Sequence, residues 1–131
     1  MSKETWLNVL GWGNEEIEDV RYVGYTYIKQ GKYKTALKFF QALSYLEDNN
    51  LYDLQTLGAI HLELGNNLPA LNYLERALEL EPEDHRTQLN QIKALFLLGY
   101  KKQALIKIHR LIVHPRKDVQ LQAQVLLQTY S

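Results

Sequence analysis

Cysteine is missing from the whole sequence, which removes thiol catalysis, zinc–thiolate sites and disulfides from consideration. An excess of charge is missing too: 15 Lys+Arg meet 15 Asp+Glu, for a formal net charge of +0. A chain with no basic excess offers no electrostatic face to a phosphate backbone, so no nucleic-acid partner is expected. Nothing in the charge balance opposes association of copies either. No apolar run approaches a membrane span, so membrane insertion is not expected. Trp6-Leu7-Asn8-Val9-Leu10 is too short for a secretory signal core, and no small-residue cleavage site follows it. A soluble cytoplasmic protein is the expectation.

Catalytic constellations are also lacking. There is no Gly-rich phosphate loop, no G-x-S-x-G elbow and no H-E-x-x-H pair. The 4 histidines are scattered. His61 falls on a core-facing stripe and reads as a packed, hydrogen-bonded ring, while His109 and His114 straddle a helix end as a solvated pair. Glu79, Glu81, Glu83 and Asp84 flank a helix junction and read as capping and solubility groups. The expectation is no enzyme, no catalytic residue, no metal and no cofactor.

What the chain does have is apolar residues, 46% of the total, enough to fill one continuous core at this length. It also has a period. Gly24 recurs as Gly58. Gly31 recurs as Gly65 and Gly99, Ala36 as Ala70 and Ala104, and Phe40 as Leu74 and Ile108. Leu43 recurs as Ala77 and Leu111, and every step is 34 residues. Within one period, Val20, Val23, Gly24 and Tyr27 fall at i, i+3, i+4, i+7, one face of a helix. Ala36, Phe39, Phe40 and Leu43 form the facing stripe of a second helix. Gly24 and Ala36 let the two backbones approach where they cross. Gly31, Gly65 and Gly99 stand where a left-handed residue ends a helix cheaply.

A period of 34 with small residues at fixed places resembles the tetratricopeptide repeat, a helix–turn–helix unit. Val20, Val23, Gly24, Tyr27, Ala36 and Phe40 follow its pattern in the first unit. Leu54, Leu57, Gly58, Ala70, Leu74 and Pro82 follow it in the second, with His61 in the usual tyrosine place. The third is degenerate: Gln88, Gln91 and Ile92 replace the W, L and G, while Leu95, Gly99, Ala104 and Ile108 hold. Pro115 falls one residue early. The resemblance implies an all-α superhelix in one domain, 1–131. Its repeats should run over about 17–50, 51–84 and 85–116, with a capping helix at about 117–130. Helices are expected at about 15–29, 33–47, 51–64, 67–80, 84–98 and 101–113. Asn14 should cap the first of them, and residues 1–13 should form a short segment ended by Gly11-Trp12-Gly13.

In a stacked array the first helix of each unit lines the inner surface. Apolar residues there but off the core stripe are candidates for a binding groove. The first unit supplies Tyr22, Tyr25 and Ile28, with Arg21 and Lys29 beside them. The second supplies Tyr52, Gln55, Ala59 and Leu62, and the third Leu89, Lys93, Phe96 and Leu97. Contiguous apolar surface of this kind marks a protein partner, and tyrosine gives large contact area at low entropy cost. Repeat domains that grip acidic C-terminal tails use a Lys/Asn clamp. Here Arg21 and Tyr25 hold the matching places, so an acidic tail is not the expected ligand.

The line Gly31-Lys32-Tyr33-Lys34-Thr35-Ala36-Leu37-Lys38-Phe39-Phe40-Gln41-Ala42-Leu43 is similar to the first repeat of bacterial type III secretion chaperones. The resemblance implies a bacterial cytoplasmic chaperone that keeps an aggregation-prone secretion substrate soluble, as a heterodimer serving virulence. The substrate is a needle subunit or a translocator. It would enter the groove as an amphipathic helix or an extended apolar segment, in one branch with a small co-chaperone. The short N-terminal segment leans toward the needle branch. The alternative is a general repeat scaffold or adaptor assembling a multiprotein complex. Trp6, Leu10 and Trp12 are large apolar residues in a segment too short for its own core. They are candidates for a local cap or a subunit contact, which leaves room for a homodimer.

Overall fold

The protein is described here by a computed structural model covering residues 3–131, with side chains described from Leu7 onward. Eight helices and no strand occur among the described residues. They are α1 (Lys3–Leu10), α2 (Asn14–Lys29), α3 (Tyr33–Leu46), α4 (Leu51–Glu63), α5 (Asn67–Leu80), α6 (His85–Leu97), α7 (Lys101–Leu111) and α8 (Lys117–Tyr130). Each packs on its chain neighbour from α2 onward, and α4 also touches α6, as α6 touches α8. The result is a stack of antiparallel pairs, α2/α3, α4/α5 and α6/α7, with α8 laid against α6 and α7.

Glycine explains both how the pairs turn and how closely they cross. Gly31, Gly65 and Gly99 have φ of +74°, +79° and +87°, the left-handed conformation that costs glycine least. At the second crossing, a Cβ on Gly58 would lie 2.6 Å from Leu74 Cγ, so the absent side chain is what admits Leu74. In the third pair Ile92 stands in that place and is 1% exposed, so this crossing is filled by side chain rather than by backbone approach.

The core runs along the stack in two parts. Ile17, Ala36, Phe40, Leu43, Leu57 and Ile60 join the first pair to the second. Leu74, Leu95, Ala104, Ile108, Val119 and Ala123 carry it on to α8. His61 is buried in the tyrosine place, with its ring stacked 5.6 Å from Tyr73 and Nδ1 3.3 Å from the Asn66 amide.

One cap differs from the sequence expectation. Asn14 is the first residue inside α2, and Gly13 is the cap. The Glu16 carboxylate reaches back to accept the Gly13 N–H at 2.9 Å, so this helix start is tied by the third helical residue rather than by the Asn14 side chain. At the other end of the chain, α1 lays Leu7 against the first core cluster. Trp12 is half-buried and Leu10 is exposed, whereas the side chain of Trp6 lies outside the described residues.

Candidate functional site

The first helices of successive pairs share one register. Asn50 caps α4 by accepting the Asp53 N–H at 3.0 Å, and Asp84 caps α6 by accepting the Thr87 N–H at 3.0 Å. Asp53 and Thr87 thereby fall at the third helical position, buried against the preceding first helix. Each meets a partner 32 residues earlier. Arg21 Nε and Nη2 donate to the two carboxylate oxygens of Asp53, each at 2.8 Å. The Gln55 amide donates to the Thr87 hydroxyl at 3.1 Å and to Asp84 at 3.3 Å. Polar pins of two kinds therefore link α2 to α4 and α4 to α6.

Beside these pins opens a groove of about 630 Å³. Tyr25 and Ile28 of α2, Tyr52 and Ala59 of α4, and Asn90 of α6 line it, with Gln55 on its floor. Burial raises the Tyr52 hydroxyl above the ordinary tyrosine range, so it remains a neutral donor at physiological pH. Lys29 lies 4.7 Å from the Tyr25 ring centroid, a cation–π contact that holds the ring at the groove's edge.

Five of the expected groove residues thus come together: Tyr25, Ile28, Tyr52, Gln55 and Ala59. Others do not. Arg21 is 8% exposed and is bound by Asp53, Glu47 and Glu18, which raises its pKa further. It is a structural cation inside the stack, not a free groove charge. Leu62 at 9% exposure is taken into the core. Phe96 is half-buried with its ring stacked 5.7 Å from Tyr130 of α8. Tyr22, 70% exposed, and Leu97 stand outside the groove lining. Leu89 and Lys93 line a second opening, between α6 and α8.

The sequence reading missed the groove's far wall, where His85, Arg86 and Arg116 face the aromatic side. Burial works against ionisation of Asp84, but hydrogen bonds from the Thr87 hydroxyl and N–H outweigh it and hold the carboxyl below its usual range. The exposed Asp118 is held low by Arg116, whose Nη2 donates to it at 2.6 Å. The missed residues sit at the starts of α6 and α8, and as polar residues they fall outside any apolar periodicity. Among the described residues no cluster of His and carboxylate could hold a metal ion, and no helix is long and apolar enough to cross a membrane.

An all-helical stack with a groove across successive first helices defines a tetratricopeptide-type array. Residues 27–128 match the family model of the bacterial transcriptional activator domain, and the chain belongs to that family. Among solved structures it is similar to PcrH in complex with the chaperone-binding region of PopD, at TM-score 0.78 and 21% identity over 92% of this chain and 94% of that one. PcrH is from Pseudomonas aeruginosa. It is also similar to the Yersinia enterocolitica type III secretion translocator chaperone SycD, at TM-score 0.77 and 20% identity over 90% and 93%. The Arabidopsis OM64 TPR domain matches at TM-score 0.74 and 22% identity over 89% and 99%. At these identities the likeness is one of fold. No curated protein matches the chain.

Proposed function

We infer that the chain binds a segment of another protein in the groove between α2, α4 and α6, and catalyses no reaction. The observation that carries this is the lining itself: Tyr25, Ile28, Tyr52 and Ala59, from consecutive first helices, present one apolar and aromatic surface in a concavity. Burial of apolar area there should supply most of the affinity, at about 25 cal/mol per Å² before ordering costs. The finer reading is an export chaperone of the bacterial cytoplasm holding a type III secretion substrate, a translocator or a needle subunit. It is supported by the Gly31–Leu43 line and by the fold shared with PcrH and SycD. SycD is a translocator chaperone by name, which favours a translocator over the needle branch.

A second reading has its own support. Membership of the bacterial transcriptional activator domain family favours an adaptor role inside a regulatory assembly, with the same groove receiving a partner's segment. Co-expression with each neighbouring gene separates the two. A chaperone converts one small insoluble client into a soluble complex, whereas an adaptor's partner is soluble without it. In either case Tyr52→Ala should weaken the complex by about 2 kcal/mol or more, and Tyr22→Ala should leave it unchanged. A folded Tyr25→Ala, Tyr52→Ala double variant that binds as well as the wild type would refute the groove assignment.

A further inference from the structure

The third junction between first helices is built differently from the other two. Counting from the caps Asn50, Asp84 and Arg116, the third helical positions are Asp53, Thr87 and Val119, at 2%, 3% and 0% exposure. Arg21 meets the first and Gln55 the second, and Leu89, in the same register, shares one core cluster with the third. An ion pair gives way to a neutral hydrogen bond and then to an aliphatic pair. The same count puts Leu121 of α8 in the place of Gln55 and Leu89, and Val125 in the place of Ala59 and Lys93. Leu121 and Val125 are each 61% exposed, since no further first helix packs over them among the described residues.

Between α6 and α8 these side chains open a slot of about 360 Å³, walled by Leu89, Leu121, Val125 and Leu126. Lys93 stands half-buried in its lining, and among the described residues no carboxylate lies within ion-pair reach of it. A lysine whose stem lies among aliphatic walls presents its ammonium at their edge, where a carboxylate beside an aliphatic side chain would meet it with a charge-assisted hydrogen bond. Asn90 lines both this slot and the main groove, so the two openings adjoin at that residue. A small molecule would fill one compartment; only a chain can run through both.

We propose that the partner segment continues past the third pair of helices and enters the α6/α8 slot with an aliphatic side chain followed or preceded by Asp or Glu, whose carboxylate pairs with Lys93. The proposal rests on the groove reading above and adds the chemistry of the bound sequence. The acid is a side chain within the segment, not a chain terminus. α8 is then part of the binding surface as well as the end of the stack.

The test uses a random peptide library displayed on phage and selected against the full chain. Enriched peptides are then synthesised with a fluorophore and titrated by anisotropy. Val125→Asp and Lys93→Glu change exposed or half-exposed side chains, and circular dichroism checks that both variants fold. The expected result is an acidic residue beside Leu, Ile or Val in the enriched peptides, with affinity falling by about tenfold or more in Val125→Asp. Reselection on Lys93→Glu should replace the acid by Lys or Arg. Peptides that depend on Tyr52 but ignore both slot variants overturn the proposal and leave the groove reading intact. Peptides that ignore Tyr25 and Tyr52 as well, or a library that yields nothing, overturn both. Self-association by light scattering that Val125→Asp abolishes shows a second copy in the slot, and also overturns it.

Discussion

Gly58→Ala puts two opposed effects of known size against each other. Alanine is favoured over glycine inside a helix by about 0.8–1 kcal/mol, and α4 would gain that much if nothing touched the new methyl. The structure places something there. The new Cβ would lie 2.6 Å from both Cγ and Cδ2 of Leu74, and Leu74 is 0% exposed. Its Cγ is a branch point near the backbone of α5, so it cannot swing away as the tip of a long side chain would. Relief requires α4 and α5 to separate or Leu74 to leave its rotamer, at about 1–3 kcal/mol for an overpacked core. A cost near the upper end of that range outweighs the propensity gain, leaving a net loss of about 1–2 kcal/mol. Urea unfolding followed by far-ultraviolet circular dichroism measures this, and the thermal midpoint should fall by about 3–5 °C per kcal/mol lost. Leu74→Ala alone should cost about 2–5 kcal/mol. Combined with Gly58→Ala it should cost less than the sum, because the new methyl then fills part of the cavity. A Gly58→Ala variant more stable than the wild type would show that helix propensity dominates, and would refute the close crossing of α4 and α5.

Arg21→Ala should destabilise by about 3–5 kcal/mol, because it leaves the buried Asp53 carboxylate with no cation. Asp53→Ala should cost less, since Arg21 keeps Glu47 and Glu18; equal losses in urea unfolding would contradict this asymmetry. His61 is held below its ordinary pKa by burial, so below about pH 6.5 the unfolded chain takes up a proton that the folded chain resists. Stability from this group is complete above that pH and declines as the pH falls toward the depressed folded value. His61→Tyr should flatten the thermal midpoint between about pH 7.5 and 5.5 relative to wild type, and parallel profiles would refute the assignment. Phe96→Ala removes the ring stacked on Tyr130, so hydrogen exchange should speed up across 117–130 while α2 to α5 stay protected; uniform acceleration would count against local docking of α8.

The fold was legible because a repeat states its own register several times. Gly24 and Gly58, the three turn glycines, and the alanines one turn into each second helix mark the same geometry, so errors at one position are corrected at another. The six helices of the three pairs and α8 fall within a residue or two of where that register puts them. The groove was legible only in part, and the reason is physical. An off-stripe residue on a first helix faces inward, but whether it is free depends on what arrives from the next unit. Arg21 and Tyr25 sit one turn apart on the same face of α2, yet Asp53 arrives at Arg21 and buries it, while nothing covers Tyr25 in the same way. A period of 34 does not show a contact made over 32 residues, because that spacing follows from where Asn50 and Asp84 cap the helices. Leu121 and Val125 escaped for a related reason. α7 has 11 residues where α5 has 14, and the α8 cap therefore comes two residues early, so a strict 34-residue step misses them by two, whereas counting from the cap at Arg116 lands on them. From α4 onward, register measured from helix caps is thus the better guide to the inner surface of this stack. By that measure the surface runs from Ala59 through Lys93 to Val125, one helix further than the repeats themselves, and Tyr25 joins it one 34-residue step before Ala59.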